Sequence, residues 1–325
     1  MRNKHHRALS VDDDRNLEIQ VWLIPVNDLH DESNELDLLS EVGSLESYGN
    51  RYKSGVIVSI LLSLDKNYTR FMQYCSAQAG WMAFRSILYR GKQPYFRLEF
   101  LDTSMELEPA KGSYGFYDWM DAVSANAMIR NDEGVKELCL VEQEILGTYF
   151  DEPFRRVNNI YFEFFKVFYS DETDPQIRAE ALNSVRAIGE LGTINAIVER
   201  EIENRVHSLY TPLVDIIEAI WQGNHESVER TVLEAMDKNY HYFAYLVPEK
   251  GQPNGEKSLD LGDVDAMFYD KIIALLAVYF EQTGKTMSFD SPYLPEWIIK
   301  NEGPTIQEVL ANPPIFDLEH VLGNQ

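Results

Sequence analysis

The chain has 325 residues, and 45% of them are hydrophobic and 12% aromatic, enough for a substantial buried core and too many for an intrinsically disordered segment. Fifty-three acidic against 29 basic residues give a formal charge of −24, which repels nucleic-acid backbones and anionic membranes and favours a basic partner, although acidity also serves solubility alone. Only Cys75 and Cys139 are present, too few for a disulfide or zinc framework, and both read as buried free thiols in a reducing compartment.

The first residues, MRNKHHRALS, carry charge but no apolar stretch of a secretory signal, and no later run reaches transmembrane length, so a cytoplasmic protein is expected. LEIQVWLI at 17–24 alternates and then turns apolar before Pro25, which suits a short strand or an extended arm packed on helices. From Asn34 to about Leu64 the apolar spacing is helical, with breaks expected near Gly49 and Gly55. Asp65 is placed to cap a second helix that carries Phe71, Tyr74, Cys75 and Met82 and stops at Gly91, and the two helices are expected to pair antiparallel. Residues 94–101, PYFRLEFL, alternate like an edge strand, with the N-terminal segment as the expected partner.

A link containing Gly112 and Gly115 leads to a helix with Trp119, then to one from Asp132 to about Leu146, then to one from Glu152 to Tyr169. The last has an aromatic stripe (Phe154, Tyr161, Phe164, Phe165, Phe168) at the 3.6-residue period of a core-facing helix. The acidic turn SDETDP at 170–175 is the predicted boundary between an N-terminal half, 1–170, and a C-terminal half, 171–325, together forming one compact unit. Asp174 is the expected N-cap and Pro175 the first helical residue. Further helices are expected at 175–190, at 193–209 with Glu199, Arg200, Glu201 and Glu203 on a solvated face, at 212–221 with Thr211 as cap, and at 224–246.

The C-terminal half is organised around a buried helix at 263–283. Between Val264 and Phe280 apolar side chains fall on nearly every face, so other elements must wrap it. Asp263 and Asp265 suit its N-terminal end, Gly284 and Lys285 its stop, and SPYLPEWII at 291–299 is expected to fold back as a cover. The fold class is therefore mainly α, a multi-helix bundle or a solenoid-like array of helical hairpins, with a small two-stranded β element near the N-terminus from the strands at 17–24 and 94–101.

No pattern nominates a catalyst. Thr283-Gly284-Lys285-Thr286 resembles the end of a phosphate loop, but the required earlier glycine is replaced by Tyr279 and the sequence closes a helix instead of opening one. Gly112-Ser113-Tyr114-Gly115 lacks the spacing of a nucleophile elbow. The seven histidines form no metal motif, His225 and Glu229 read as a surface pair one turn apart, and paired acids such as Glu199 and Glu203 are expected by chance in so acidic a chain. No catalytic, cofactor-binding or metal-binding residue is assigned. What remains is a surface: Tyr240, His241, Tyr242 and Tyr245 run into a turn-rich loop with Glu249 and Glu256, followed by Asp260 and Asp263. Rings beside carboxylates suit the anchoring and steering of a basic protein partner.

Three pieces in order resemble the immunity protein 49 family of bacterial antitoxins: WMDAV at 119–123 leading to IRND at 129–132, VLEAM at 232–236 leading to NYHY at 239–242, and the buried helix with its Gly-Lys turn and SPYLPEWII. The resemblance covers mainly residues 113–300. It implies a helical immunity protein that binds and neutralises a cognate polymorphic toxin, with no activity of its own. Combined with the acidity, it makes a basic, nuclease-type toxin the expected partner and leaves nucleic acid and membrane out. The alternative is a helical scaffold or regulator of an endogenous basic protein, and a carboxylate-based metal enzyme ranks third.

Overall fold

A computed structural model describes residues 45–147, 152–194, 196–198, 200–246 and 268–314. The expected strand or arm at 17–24, residues 34–44 of the first expected helix, and Asp263 and Asp265 lie outside the described residues. In chain order the elements are α1 (Leu45–Leu61), α2 (Lys66–Tyr89), β1 (Phe96–Phe100), β2 (Thr103–Leu107), α3 (Phe116–Met128) and α4 (Asp132–Leu138). Then come α5 (Glu152–Tyr169), α6 (Pro175–Gly189), α7 (Leu191–Ile194), α8 (Arg200–Arg205), a π-helical turn (Val206–Tyr210), α9 (Thr211–Trp221) and α10 (His225–His241). A second π-helical turn (Tyr242–Leu246), α11 (Asp270–Thr283), α12 (Glu296–Ile299) and α13 (Ile306–Ala311) complete the described chain. The fold is mainly α, with one small antiparallel sheet among the described residues.

The chain divides into two compact units: one is built chiefly from Glu142–Lys300, the other from His6–Val141 with Asn301–Gln325. In the latter, α1 and α2 pair antiparallel, with Ser59 opposite Thr69 (hydroxyls 2.8 Å apart) and the Gly49 carbonyl accepting from Ser76 Oγ at 2.9 Å. Asp65 caps α2 by accepting from the Asn67 N–H at 2.8 Å, and Gly91 (φ 74) follows its end. Gly49 and Gly55 do not break α1. They lie inside it because α2 passes close by: a Cβ on Gly49 would sit 3.5 Å from Gly80 N, and one on Gly55 would sit 3.0 Å from the Met72 sulfur. On the other side of α2, a Cβ on Gly80 would be 2.9 Å from Ala122 Cβ of α3. Small residues let three backbones approach, and the helical ladder continues through them.

β1 pairs with β2, with Phe96 opposite Leu107 and Phe100 opposite Thr103, through a tight turn at Leu101 (φ 52). Its buried face (Phe96, Leu98, Phe100) lies against α2, whose Gln78 Oε1 accepts from the Leu101 N–H at 2.7 Å. The fully buried Trp119 donates from its indole to the Leu138 carbonyl at 2.9 Å. The same carbonyl also accepts from the Val141 N–H at 3.2 Å, a tight turn in place of the next α-helical bond, and α4 stops at Leu138 instead of running to Leu146. The residues after Lys300 return to α2: Asn301 Oδ1 accepts from the buried Arg70 guanidinium at 2.6 Å, Pro304 O from the Tyr74 hydroxyl at 3.3 Å, and Asn312 O from Asn67 at 2.8 Å.

In the Glu142–Lys300 unit, α5 presents its aromatic stripe to Trp221 of α9, with Phe164 edge-on at 5.5 Å and Phe168 at 6.5 Å. Asp174 and Pro175 begin α6 as expected, the aspartate accepting from the Gln176 N–H at 2.8 Å. Two expectations change nearby. The stretch 193–209 is not one helix but α7, a turn at 196–198, α8 and a π-helical turn. Because that turn feeds α9 directly, Thr211 is not its cap: its N–H reaches the Val206 carbonyl and its hydroxyl meets Tyr161 OH at 3.2 Å.

The buried helix begins at Asp270, since Phe268 and Tyr269 are not helical. Ile272, Ile273, Leu275, Leu276 and Tyr279 are all at most 3% exposed, and Gly284 closes the helix in the left-handed region (φ 68), donating to Phe280 O at 2.7 Å. The expected cover forms: Tyr293, Leu294, Ile298 and Ile299 are buried, and the Tyr293 ring stacks on Tyr269 at 4.7 Å.

The close crossing at Gly80 gives a test. Gly80→Val forces the second branch of a side chain into Ala122 and lowers stability by about 1–3 kcal/mol, read from urea midpoints. Gly112→Ala, with nothing within 4 Å of the added carbon, leaves the midpoint unchanged.

Candidate functional site

Of the residues nominated by sequence, Glu249, Glu256, Asp260 and Asp263 lie outside the described residues. The other four sit where α10 passes into the second π-helical turn. Here the wider helical turn changes the direction of successive side chains. Tyr240 and Tyr242 are 8% and 7% exposed, so their rings belong to the core, whereas Tyr245 is 47% exposed and His241 faces solvent. Tyr245 packs edge-on against Tyr240 at 6.1 Å and tilted against His241 at 5.3 Å. The structure thus brings Tyr240, His241 and Tyr245 into one cluster with a buried base and an exposed rim, and Tyr242 turns away to pair with Phe243 at 5.0 Å.

The frame beneath is tied by charge and by stacking. Arg186 of α6 donates to Asp215 at 2.6 Å and to Glu218 at 2.5 Å, both on α9, and Lys238 of α10 lies 3.6 Å from Asp215. The His225 ring stacks on Tyr279 of α11, its Nδ1 2.9 Å from the hydroxyl, and its Nε2 is 3.7 Å from Glu229, so the expected one-turn pair forms and also joins α10 to α11. Burial raises the Tyr279 and Tyr161 hydroxyls above their ordinary range, Tyr161 to about 12, so both are neutral hydrogen-bonding groups at physiological pH.

Charge is divided unevenly along the chain. Residues 142–300 contain 28 acidic and 14 basic side chains, whereas residues 45–141 contain 11 of each. Counted over the two whole units the surplus is equal, with 28 acids and 16 bases in Met1–His5 plus Glu142–Lys300 and 25 acids and 13 bases in His6–Val141 plus Asn301–Gln325, and it is the aromatic cluster that distinguishes the Glu142–Lys300 unit.

The other unit has a different feature. Glu46 of α1 faces Asp118 and Asp121 of α3 across a cavity of about 20 Å³, with Asn50 donating to the Glu46 carboxylate. Asp118 accepts from the Gly115 N–H at 2.6 Å, as the start of α3, and Asp121 pairs with Lys53 at 3.2 Å. From α2, Ser76, Gly80, Ala83 and Phe84 line the cavity and bring no charge. Burial, then the neighbouring Asp118 charge, push Glu46 up to about 7, and burial raises Asp118 as well. The pair shares a proton near neutrality. It is a contact between helices, and the cavity beside it, about 20 Å³, is on the scale of a single water molecule.

Among the described residues no group of three histidine, cysteine, aspartate or glutamate side chains is placed to hold a metal ion, and no helix is long and apolar enough to cross a membrane. Cys75 and Cys139 are free thiols, the first buried and the second half-buried. Sequence reasoning did not single out the Arg186, Asp215, Glu218 and Lys238 network, because its members come from three helices and share no motif.

A family model described as Immunity protein 49 matches residues 65–298, from the cap of α2 into α12, which is most of the chain. No curated protein and no solved structure matches it.

The Glu46 carboxyl predicts a pH dependence with a defined sign. Its folded-state value is raised, so its stabilising contribution is fully present below the unfolded value near 4.5 and is lost as pH rises through about 7. Glu46→Gln removes that loss: in urea unfolding the variant is more stable than the natural protein at pH 8, and the gap closes at pH 5. Equal pH slopes for the two proteins contradict the assignment.

Proposed function

The chain belongs to the immunity protein 49 family, and from that membership we propose that it neutralises its cognate toxin by forming a stoichiometric complex, with the acidic Glu142–Lys300 unit presenting the contact surface. An immunity protein has a toxin as its partner. That the toxin is basic and of nuclease type is our reading of the charge. A surface with twice as many acids as bases accelerates encounter with a cationic protein and competes with the phosphates that such an enzyme binds.

The observation that carries the reading, beyond family membership, is the coincidence of that acidity with the Tyr240, His241 and Tyr245 cluster in the same unit. A ring held from below and exposed at its edge loses little conformational freedom when a partner covers it, which suits a contact that dominates affinity. Glu249, Glu256, Asp260 and Asp263, next in sequence, add carboxylates to this proposed interface. Inhibition then needs no bond-making by this chain. It works by covering the toxin's catalytic surface, in the reducing cytoplasm where the toxin acts.

The experiment is co-expression with the toxin domain encoded nearest the gene. Cells survive induction of the toxin when this protein is present and die without it; death at the same rate in both cultures sinks the reading. In calorimetry with the purified pair, Tyr245→Ala weakens binding roughly tenfold, about 1.4 kcal/mol, with no change in melting temperature.

A further inference from the structure

After Gly284 the chain leaves α11 and turns back over residues 286–294 to enter α12. The loop is held at several points. The Ser288 N–H donates to Glu229 of α10, Leu294 N–H to Ser291 O at 3.0 Å, and Tyr269 N–H to Tyr293 O at 3.4 Å under the stacked rings. Between this loop and α12 lies a cleft of about 300 Å³, at the lower end of volumes that hold a small molecule and ample for one long side chain. Its most buried lining residues are Leu294 and Ile299, 5% and 3% exposed, with Ser291 at 8% and with Met287 and Phe289 beside them. Its mouth carries two exposed carboxylates, Asp290 and Glu296. Glu296 is shared with Lys300, 2.9 Å away, and with the Thr286 hydroxyl, and both hold its carboxyl below the ordinary range. Asp290 is therefore the more open charge for an arriving cation.

An apolar shaft ending in carboxylates matches the chemistry of arginine or lysine, whose methylenes seek apolar surface while the cationic head needs an anion. A second copy of this chain is disfavoured as the occupant, because each copy brings the same surplus of acids in residues 142–300. We propose that the cleft between residues 286–294 and α12 is a socket for one long cationic side chain of the toxin, its stem on Leu294 and Ile299 and its head at Asp290 and Glu296. This rests on the reading of the protein as a toxin-binding antitoxin. It adds to that reading a second anchoring point, formed by residues remote in sequence from Tyr245.

The test uses the full chain and, as probe, the purified toxin domain encoded nearest the gene. Three variants are compared with the natural protein: Asp290→Arg reverses the charge at the mouth, Met287→Trp fills the shaft, and Glu180→Arg reverses an exposed carboxylate on α6. With melting temperatures unchanged, the expected result is a loss of affinity of at least thirtyfold for the two socket variants and under threefold for Glu180→Arg. If the natural protein binds the toxin and Asp290→Arg binds no worse than Glu180→Arg, the socket is overturned while the antitoxin reading stands. If the natural protein does not bind, both fall.

Discussion

One helix sets the terms for the Glu142–Lys300 unit. α11 is apolar on almost every side, and such a helix is stable in water only when neighbours enclose it. The enclosure is specific: α10 reaches it through the His225–Tyr279 stack, the chain just before it through the Tyr269–Tyr293 stack, and α12 by folding back across it. Gly284 makes that return possible, because a left-handed residue ends the helix within one turn and sends the chain over its own buried face. Both surfaces proposed to meet a partner rest on this frame. The Tyr245 cluster is at the far end of α10, and the cleft beside α12 is the space left where the returning loop does not close completely.

The two units show different physical solutions. In the unit of α1 to α4 the backbones approach through Gly49, Gly55, Gly80 and Ala122, acids and bases are equal in number over residues 45–141, and the acids that meet across α1 and α3 lie close enough to share a proton. In the Glu142–Lys300 unit large aromatic side chains fill the interior, and the excess of carboxylates remains for the surface. Burial of ionised acids without partners is costly.

Much of this was legible in the sequence where a local rule and the global fold agree. Asp65, Asp174 and Gly284 end or begin helices for reasons contained within a few residues, and the stripe of α5 and the cover at 291–299 follow from spacing alone. The misreadings occur where a distant residue decides. Gly49 and Gly55 look like breaks until α2 supplies the packing that needs them, and the Leu138 carbonyl at the end of α4 meets the Trp119 indole of α3 and the Val141 N–H of a tight turn. The π-helical turns have no composition that marks them, and the first removes Thr211 from the capping position it would otherwise occupy. Among the nominated site residues, sequence placed four aromatic rings together but not their directions, and only the wound geometry separates the exposed Tyr245 from the buried Tyr242. The cleft was invisible for a similar reason. The nonapeptide 291–299 reads as a lid, and a lid's unfilled edge exists only after folding.

The central claim is that this molecule acts by occupying a cationic protein with an acidic surface, and the association rate measures that most directly. Stopped-flow mixing of this protein with the toxin domain encoded nearest the gene, at rising salt, is expected to show an association rate that falls at least tenfold between low and high ionic strength while dissociation changes little. An association rate independent of salt, or no association at all, contradicts the account.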